Sequence, residues 1–220
     1  MAIRTRLTET LDIRVPIISA PMGRTSGGAL AAAVSGAGGF GMLGAAGGEA
    51  SWINREFAEA GNARVGCGFI TWALARQPEM LDLALAHAPA ALLLSFGDPT
   101  PFAGKVLAAG IRLICQVQTI AHARTALACG ASVLVAQGTE AGGHGALRAT
   151  MTLVPELADL LARESPQTLL VAAGGIADGR GLAASLMLGA DGVMIGTRFW
   201  TSPESLVHLS RRSRNQQVLM

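Results

Sequence analysis

Charge is scarce in this chain. Only 15% of its 220 residues are Asp, Glu, Lys or Arg, and the formal net charge is +2. That balance leaves no electrostatic footprint for nucleic acid or an anionic membrane, so the expected partner is a small molecule. Cysteine is scarce too. Cys67, Cys115 and Cys129 form an odd set without CxxC spacing, each inside an apolar stretch. A disulfide framework is therefore excluded, and a reduced, cytoplasmic protein is expected. The start of the chain lacks a secretory h-region, because the apolar run VPIISAPM is short and interrupted by proline.

Several motifs are also missing. There is no P-loop GxxxxGK[ST], no HExxH, no GxSxG and no paired Cys/His spacing, so no metal site is expected. The GAGGFG around Gly36, Gly38 and Gly41 follows an Ala-rich segment rather than a strand, which is the wrong context for a Rossmann fingerprint. The 22 uncharged residues from Gly27 to Gly48 have the length of a membrane span, but nine are glycine and most of the others alanine. Such a segment transfers weakly into lipid. It reads instead as an Ala-rich helix over 27–36, a GAGG turn and a buried strand from Phe40 to Ala46.

What the chain does have is a rhythm. Eight short apolar runs recur at 16–22, 40–46, 65–70, 91–96, 112–118, 132–138, 169–175 and 192–199. Most are continuous rather than alternating, as strands buried on both faces require, and such sheets are usually parallel. Between them lie segments of helical spacing, among them Ile53 to Ala60, Pro78 to His87, Thr119 to Cys129, Leu153 to Arg163 and Gly181 to Leu188. The starts of successive runs are about 20 to 26 residues apart, the length of a strand, a crossover helix and two loops. One gap widens to 37 residues, directly after Gly138, in GTEAGGHGALRATM. Eight such units suit an α/β fold of the (β/α)8 TIM barrel type, one domain over 1–220, with the eighth strand at about 192–199 and a short basic tail at 206–220.

In a parallel barrel the chemistry sits at the carboxyl ends of the strands. The last two ends, AAGGIADGRG and IGTRF, are glycine-rich and each precedes a potential helix. Gly174, Gly175, Gly196 and Thr197 are therefore candidates to receive a phosphate on backbone N–H groups, as the corresponding loops of this architecture do. The plainer reading is that Gly174 and Gly175 only turn the chain out of a strand. His144 closes the loop EAGGH at the mouth of the barrel, where an imidazole can exchange protons with a substrate. His87, His122 and His208 fall on segments read as helices. Glu140 either orients His144 or is a solvated acid.

APMG, SFGDP, QVQT, AQGTEAGGHG, AAGGIADGRG and GADGVMIGTRF stand in this order from about Pro16 to Ser205. Together they resemble the nitronate monooxygenase family, formerly 2-nitropropane dioxygenases. The resemblance implies a TIM-barrel flavoprotein with FMN at the strand ends, oxidising alkyl nitronates with molecular oxygen to a carbonyl compound and nitrite. It implies that Met22 and Gly23 lie against the isoalloxazine and that Gln116 and Gln137 hydrogen-bond the flavin or its ribityl chain. Gly143 would line the same mouth, while Gly174, Gly175, Gly196 and Thr197 hold the FMN phosphate. His144 would bind the nitro group or act as base beside an apolar lining of Met22, Phe69, Ile70 and Trp72.

Two departures stand out. The family usually continues about one hundred residues beyond the eighth strand, so this chain is read as having a shortened C-terminal region whose uncovered apolar surface favours a homodimer. Gly68 stands where many relatives have Asn. The rival readings are a flavin-type enoyl-[acyl carrier protein] reductase using NAD(P)H and a truncated, non-catalytic flavin-binding protein.

Overall fold

The computed structural model describes residues 3–207, so His208 and most of the tail expected at 206–220 lie outside the described residues. Eight strands run β1 Ile17–Ser19, β2 Gly41–Ala46, β3 Val65–Ile70, β4 Ala91–Ser95, β5 Arg112–Val117, β6 Val133–Gln137, β7 Leu169–Ala173 and β8 Gly192–Ile195. Helices precede and separate them: α1 Arg6–Leu11, α2 Gly28–Gly36, α3 Ala50–Ala60, α4 Thr71–Leu74, α5 Glu79–Ala86, α6 Thr100–Ala108, α7 Ile120–Ala128, α8 Thr150–Glu164, α9 Gly179–Met187 and α10 Thr197–Trp200. All the strand pairs are parallel, in the order β1-β8-β7-β6-β5-β4-β3-β2. A bridge between Ile18 and Phe40 closes the ring. There the Ser19 amide donates to Phe40 O at 3.0 Å, and the Phe40 amide to Ile17 O at 2.9 Å. The result is the expected TIM barrel.

The strands are continuously apolar because each of their faces meets a different core. In β6, Val133 and Val135 point into the barrel while Leu134 and Ala136 face the helices. In β7, Leu169, Val171 and Ala173 point inward, and Leu170 and Ala172 outward. Each fully buried Val or Leu contributes about 1.5–3 kcal/mol relative to exposure. The amino-terminal end of the barrel is stoppered by α1, a short helix held by a reciprocal cap between Thr5 and Thr8. Its Leu7 and Leu11 are fully buried in the inner core beside Ile18, Phe40 and Met194. A side chain on Gly192 would lie 2.3 Å from Leu7 Cδ2, so β8 needs glycine where the stopper enters.

The eighth strand ends at Ile195 rather than Phe199. The Ala20 amide donates to Ile195 O at 2.8 Å, but the Met22 amide turns to Ala20 O (2.8 Å) and Ser26 Oγ (3.2 Å) instead of continuing the ladder. Without a neighbour to pair with, the chain turns at Gly196 into α10. Helix α2 follows Gly27 as its N-cap, which has no side chain to cap it. Buried Glu56 of α3 supplies one, accepting from the Gly28 amide at 2.9 Å while its other oxygen takes Arg55 Nε at 2.9 Å. No described helix is long and apolar enough to cross a membrane.

Candidate functional site

Strand parity decides which side chains reach the mouth of the barrel. Ile114 faces inward on β5, so Gln116 does too, and Gln118 follows on the same side just beyond the strand; Val133 and Val135 carry Gln137 inward on β6. These three amides join. Gln118 Nε2 donates to His144 O at 2.7 Å and Gln137 Nε2 to Gly142 O at 3.0 Å, and those two carbonyls fix which way each amide points. Gln137 Oε1 is then the acceptor for Gln116 Nε2 (2.6 Å) and Gln118 Nε2 (2.7 Å). Gln137 is 5% exposed, and its bonds tie the loop after β6 to the barrel wall.

Above this network opens a cavity of about 660 Å³, within the range of small-molecule sites. Met22, Gly23, Gln116, Gln137, Gly143, His144, Gly174, Gly175, Gly196 and Thr197, all ten residues singled out from the sequence, line it. Phe69 and Ile70 line it as expected, but Trp72 does not. Trp72 is 45% exposed, stands edge-on to the His144 ring at 5.8 Å and carries Arg76 over its own face at 5.3 Å. Phe96 holds the imidazole from another direction, with ring centroids 5.0 Å apart. His144 thus sits at the rim between two aromatic rings, its backbone tethered by Gln118.

The floor under Met22 is made by close backbone approaches. A side chain on Gly44 would meet Met22 O at 2.2 Å, and one on Gly68 would meet the Pro21 ring at 2.5 Å. The space an Asn side chain would need at position 68 is filled here by Pro21. Gly174 is constrained twice. Its φ of +115° disfavours any side chain, and a Cβ would lie 2.7 Å from Thr150 Oγ1 and 3.0 Å from Ala141 N.

Glu140 does not reach His144. Its carboxylate accepts from the Thr150 amide at 2.9 and 3.1 Å and lies 2.9 Å from Thr150 Oγ1, capping the start of α8. Burial pushes the Glu140 pKa up, but hydrogen bonds from the Thr150 amide, its own amide and the Thr150 hydroxyl outweigh that and leave it below the ordinary value. The loop between β6 and α8 is closed on itself by this cap, which is why the carboxylate faces the helix and not the imidazole. The thiols take no part. Burial pushes both Cys67 and Cys115 up to about 12, with Cys129 adding to the effect at Cys115, so both stay protonated.

At the β7 and β8 ends, the backbone N–H groups of Gly175, Ile176, Thr197 and Arg198 have no acceptor among the described residues. All four residues line the cavity, and Arg198 is the only Lys or Arg among its lining residues. Ile176 and Arg198 were missed from the sequence, where the glycines drew attention to the turns and not to the amides that follow them. Gln118 stands with Gln116 at the end of the fifth strand run, its two-residue spacing marking the same face, but the sequence assigned it no role. Among the described residues, no group of three or more His, Cys, Asp or Glu is placed to hold a metal ion.

Known proteins share this fold. The solved structure of FabK from Thermotoga maritima superposes with a TM-score of 0.87 at 32% identity, covering 96% of this chain and 67% of that one. A nitroalkane oxidase from Streptomyces ansochromogenes gives a TM-score of 0.78 at 27% identity, covering 95% and 72%. In sequence, the chain is 37% identical to a nitronate monooxygenase of Neurospora crassa over 89% of its own length and 62% of the relative's. It is 33% identical to a Rhodococcus jostii (3aS,4S,5R,7aS)-5-hydroxy-7a-methyl-1-oxo-octahydro-1H-indene-4-carboxyl-CoA dehydrogenase, over 93% and 57%. The chain therefore spans about three fifths of the length of these two curated relatives. The nitronate monooxygenase family model matches residues 74–218. On the barrel, the motifs at its mouth and these matches, the chain belongs to the nitronate monooxygenase family.

Proposed function

We propose that the cavity holds FMN and that the protein oxidises alkyl nitronates with molecular oxygen to a carbonyl compound and nitrite. The observation that carries this reading is the pairing, in one cavity, of a rim histidine with four unpartnered backbone N–H groups. The residues present fit the cofactor. The amides of Gly175, Ile176, Thr197 and Arg198 offer donors for a phosphate, the Arg198 guanidinium adds a positive charge, and Gly174 and Gly196 keep side chains out of the way. Met22 and Gly23 would flank the ring system. Gln116, whose Oε1 has no partner among the described residues, and Gln137 would meet the polar edge or the ribityl chain.

When bound, FMN would supply the redox chemistry between nitronate and oxygen. The chain's own residues do the rest. The His144 ring donates an N–H to the negatively charged nitro group, or takes the proton from the carbon when a neutral nitroalkane binds. Phe96 and Trp72 limit the directions that ring can take, and the Gln118 bond limits its backbone. Met22, Phe69 and Ile70 provide apolar surface for the alkyl group and keep water from the reacting carbon.

The test is the visible spectrum of the purified protein, under air and under nitrogen, as propyl-2-nitronate is added. Flavin bands that bleach anaerobically and return with air are the expected result. Bleaching by NADPH with no response to nitronate would favour the enoyl-[acyl carrier protein] reductase instead. A protein that takes up no FMN would defeat both enzyme readings. His144→Ala is expected to keep the flavin and lower turnover by about 10²–10⁴, the usual contribution of a positioned acid–base group; unchanged nitrite release would remove His144 from the mechanism.

A further inference from the structure

The turn after β7 leans on a hydroxyl from another element. Thr150, the first residue of α8, is buried, and its Oγ1 lies 3.1 Å from Gly174 O, 3.2 Å from Ala173 O and 2.9 Å from Glu140 Oε2. A hydroxyl has one proton to give. Two of these oxygens have other donors, since the Glu140 carboxylate takes the Thr150 amide at 2.9 and 3.1 Å and Ala173 O takes the Gly138 amide at 2.9 Å. Gly174 O has no donor but Thr150 Oγ1 among the described residues. A Cβ on Gly138 would collide with that oxygen and one on Gly174 would lie 2.7 Å from it, so glycine on both sides leaves the hydroxyl its place.

The Gly174 carbonyl and the Gly175 N–H belong to one peptide unit. No peptide bond among the described residues is cis, so the two groups point to opposite sides of the chain. Fixing the carbonyl therefore fixes the N–H, which has no acceptor among the described residues and belongs to a residue lining the main cavity. Little else holds the unit. Gly174 and Gly175 have φ of +115° and +71°, and with no Cβ on either side of it the peptide can turn over without a clash of its own side chains. Turned over, it would show an anion the carbonyl oxygen in place of the N–H.

We infer that Thr150 is a positioning residue for the cofactor phosphate, its hydroxyl holding the Gly174–Gly175 peptide so that the Gly175 N–H is presented to the cavity. The inference rests on the reading of that cavity as an FMN site. A phosphate on the Gly175 N–H would tighten the arrangement, because an amide that is donating through nitrogen accepts more strongly through oxygen, and this draws the Thr150 proton towards Gly174. Riboflavin has the same rings and ribityl chain but no phosphate, so it gains nothing from the held peptide.

The experiment titrates FMN and riboflavin into the full chain freed of flavin, by quenching of flavin fluorescence, for wild type, Thr150→Val, Thr150→Ala and Thr150→Ser. Valine keeps the branched shape and leaves the Thr150 amide for Glu140 and the Gly138 amide for Ala173, so Gly174 O alone loses its donor. Wild type is expected to bind FMN more tightly than riboflavin. In Thr150→Val the affinity for FMN should fall roughly three- to tenfold, the net worth of one hydrogen bond, while that for riboflavin stays within about twofold of wild type. Thr150→Ala should behave as Thr150→Val and answers the same question should valine not fold, and Thr150→Ser should keep the wild-type preference. A preference for FMN that survives the loss of the hydroxyl, or a weakening shared equally by both flavins, overturns the role of Thr150 and leaves the FMN reading standing. A wild type that does not prefer FMN to riboflavin overturns the phosphate site itself, and this inference with it.

Discussion

Gln118→Leu isolates what the Gln118 tether does. The side chain gives two hydrogen bonds at 2.7 Å, to Gln137 Oε1 and to His144 O. Leucine fills a similar volume but donates neither. Gln137 Oε1 keeps Gln116 as a donor, and the freed His144 carbonyl lies in an exposed loop where water replaces the lost bond. No buried group is therefore orphaned, and each bond is worth its net value of about 0.5–1 kcal/mol. The sum, about 1–2 kcal/mol, is stabilisation of one loop conformation and not of the barrel. If that conformation is the one that aims His144, kcat/KM for nitronate should fall roughly 5–30-fold, at about 1.4 kcal/mol per tenfold. Flavin affinity and the thermal midpoint should stay close to wild type. Nitrite release, flavin titration and thermal unfolding on the same preparation make the comparison, with limited proteolysis reporting on the loop. Turnover within twofold of wild type, with the loop more easily cut, would refute the reasoning, since the tether would then be loosened without consequence for the imidazole. A large drop in the thermal midpoint would refute it differently, by showing that the bond supports the barrel.

Other expectations follow from the same geometry. Leu7→Ala empties part of the stopper in the inner core and should cost about 2–5 kcal/mol in chemical denaturation, as buried leucine truncations do; a loss under about 1 kcal/mol would mean that α1 is not packed as described. Gly174→Ala forces a side chain into φ +115° and within 2.7 Å of Thr150 Oγ1. It should lower stability by about 1–3 kcal/mol and weaken FMN more than riboflavin, because the strain falls next to the donors proposed for the phosphate. Asp191 tests pH linkage. Burial raises its pKa above 3.8, against the lowering pull of the Leu170 amide at 2.9 Å and of Arg6 at 3.8 Å. A raised carboxyl pKa favours the folded, protonated form, so the ionised group costs stability at pH 7, and that cost shrinks as pH falls through the folded pKa. Asp191→Asn keeps an oxygen for Leu170 and should be the more stable protein at pH 7, with the advantage gone below about pH 4. A variant less stable at every pH would show that the Arg6 pair outweighs the burial.

The barrel was legible because its physics is repetitive. A strand that meets the inner core on one side and helices on the other must be apolar throughout, and runs such as SVLVAQG and LLVAAGG carry that requirement on their face. Five of the lining residues, His144, Gly174, Gly175, Gly196 and Thr197, were legible for a related reason, since strand ends can be located without knowing any contact; Met22, Gly23, Gln116, Gln137 and Gly143 were singled out by the family resemblance. What escaped depends on partners distant in sequence. Nothing in RLTETL says that Leu7 and Leu11 will stopper a barrel whose β8 begins only at Gly192. GVMIGTRF reads as one strand until Met22 leaves the ladder and Gly196 turns. Glu140 read as an orienter of the nearby His144 or as a solvated acid, whereas its partner is Thr150, across a loop that folds back on itself. Trp72 was placed inside the cavity by hydrophobicity alone, and it serves at the rim as a buttress for a ring.

The closure between β1 and β2 has a consequence of its own. Seven joints of the cylinder are parallel ladders, but the eighth is a bridge reinforced by a hydroxyl, with Ser19 Oγ accepting from the Met42 amide at 2.9 Å where a backbone carbonyl would ordinarily serve. A hoop with one thinner weld parts there first. Hydrogen exchange should therefore be quickest, among the amides that hold the cylinder together, at Ser19, Phe40 and Met42. The weld lies beside the Pro21–Met22 turn, so breathing of the cylinder is transmitted straight to the floor of the cavity, and anything bound against Met22 draws the hoop tight.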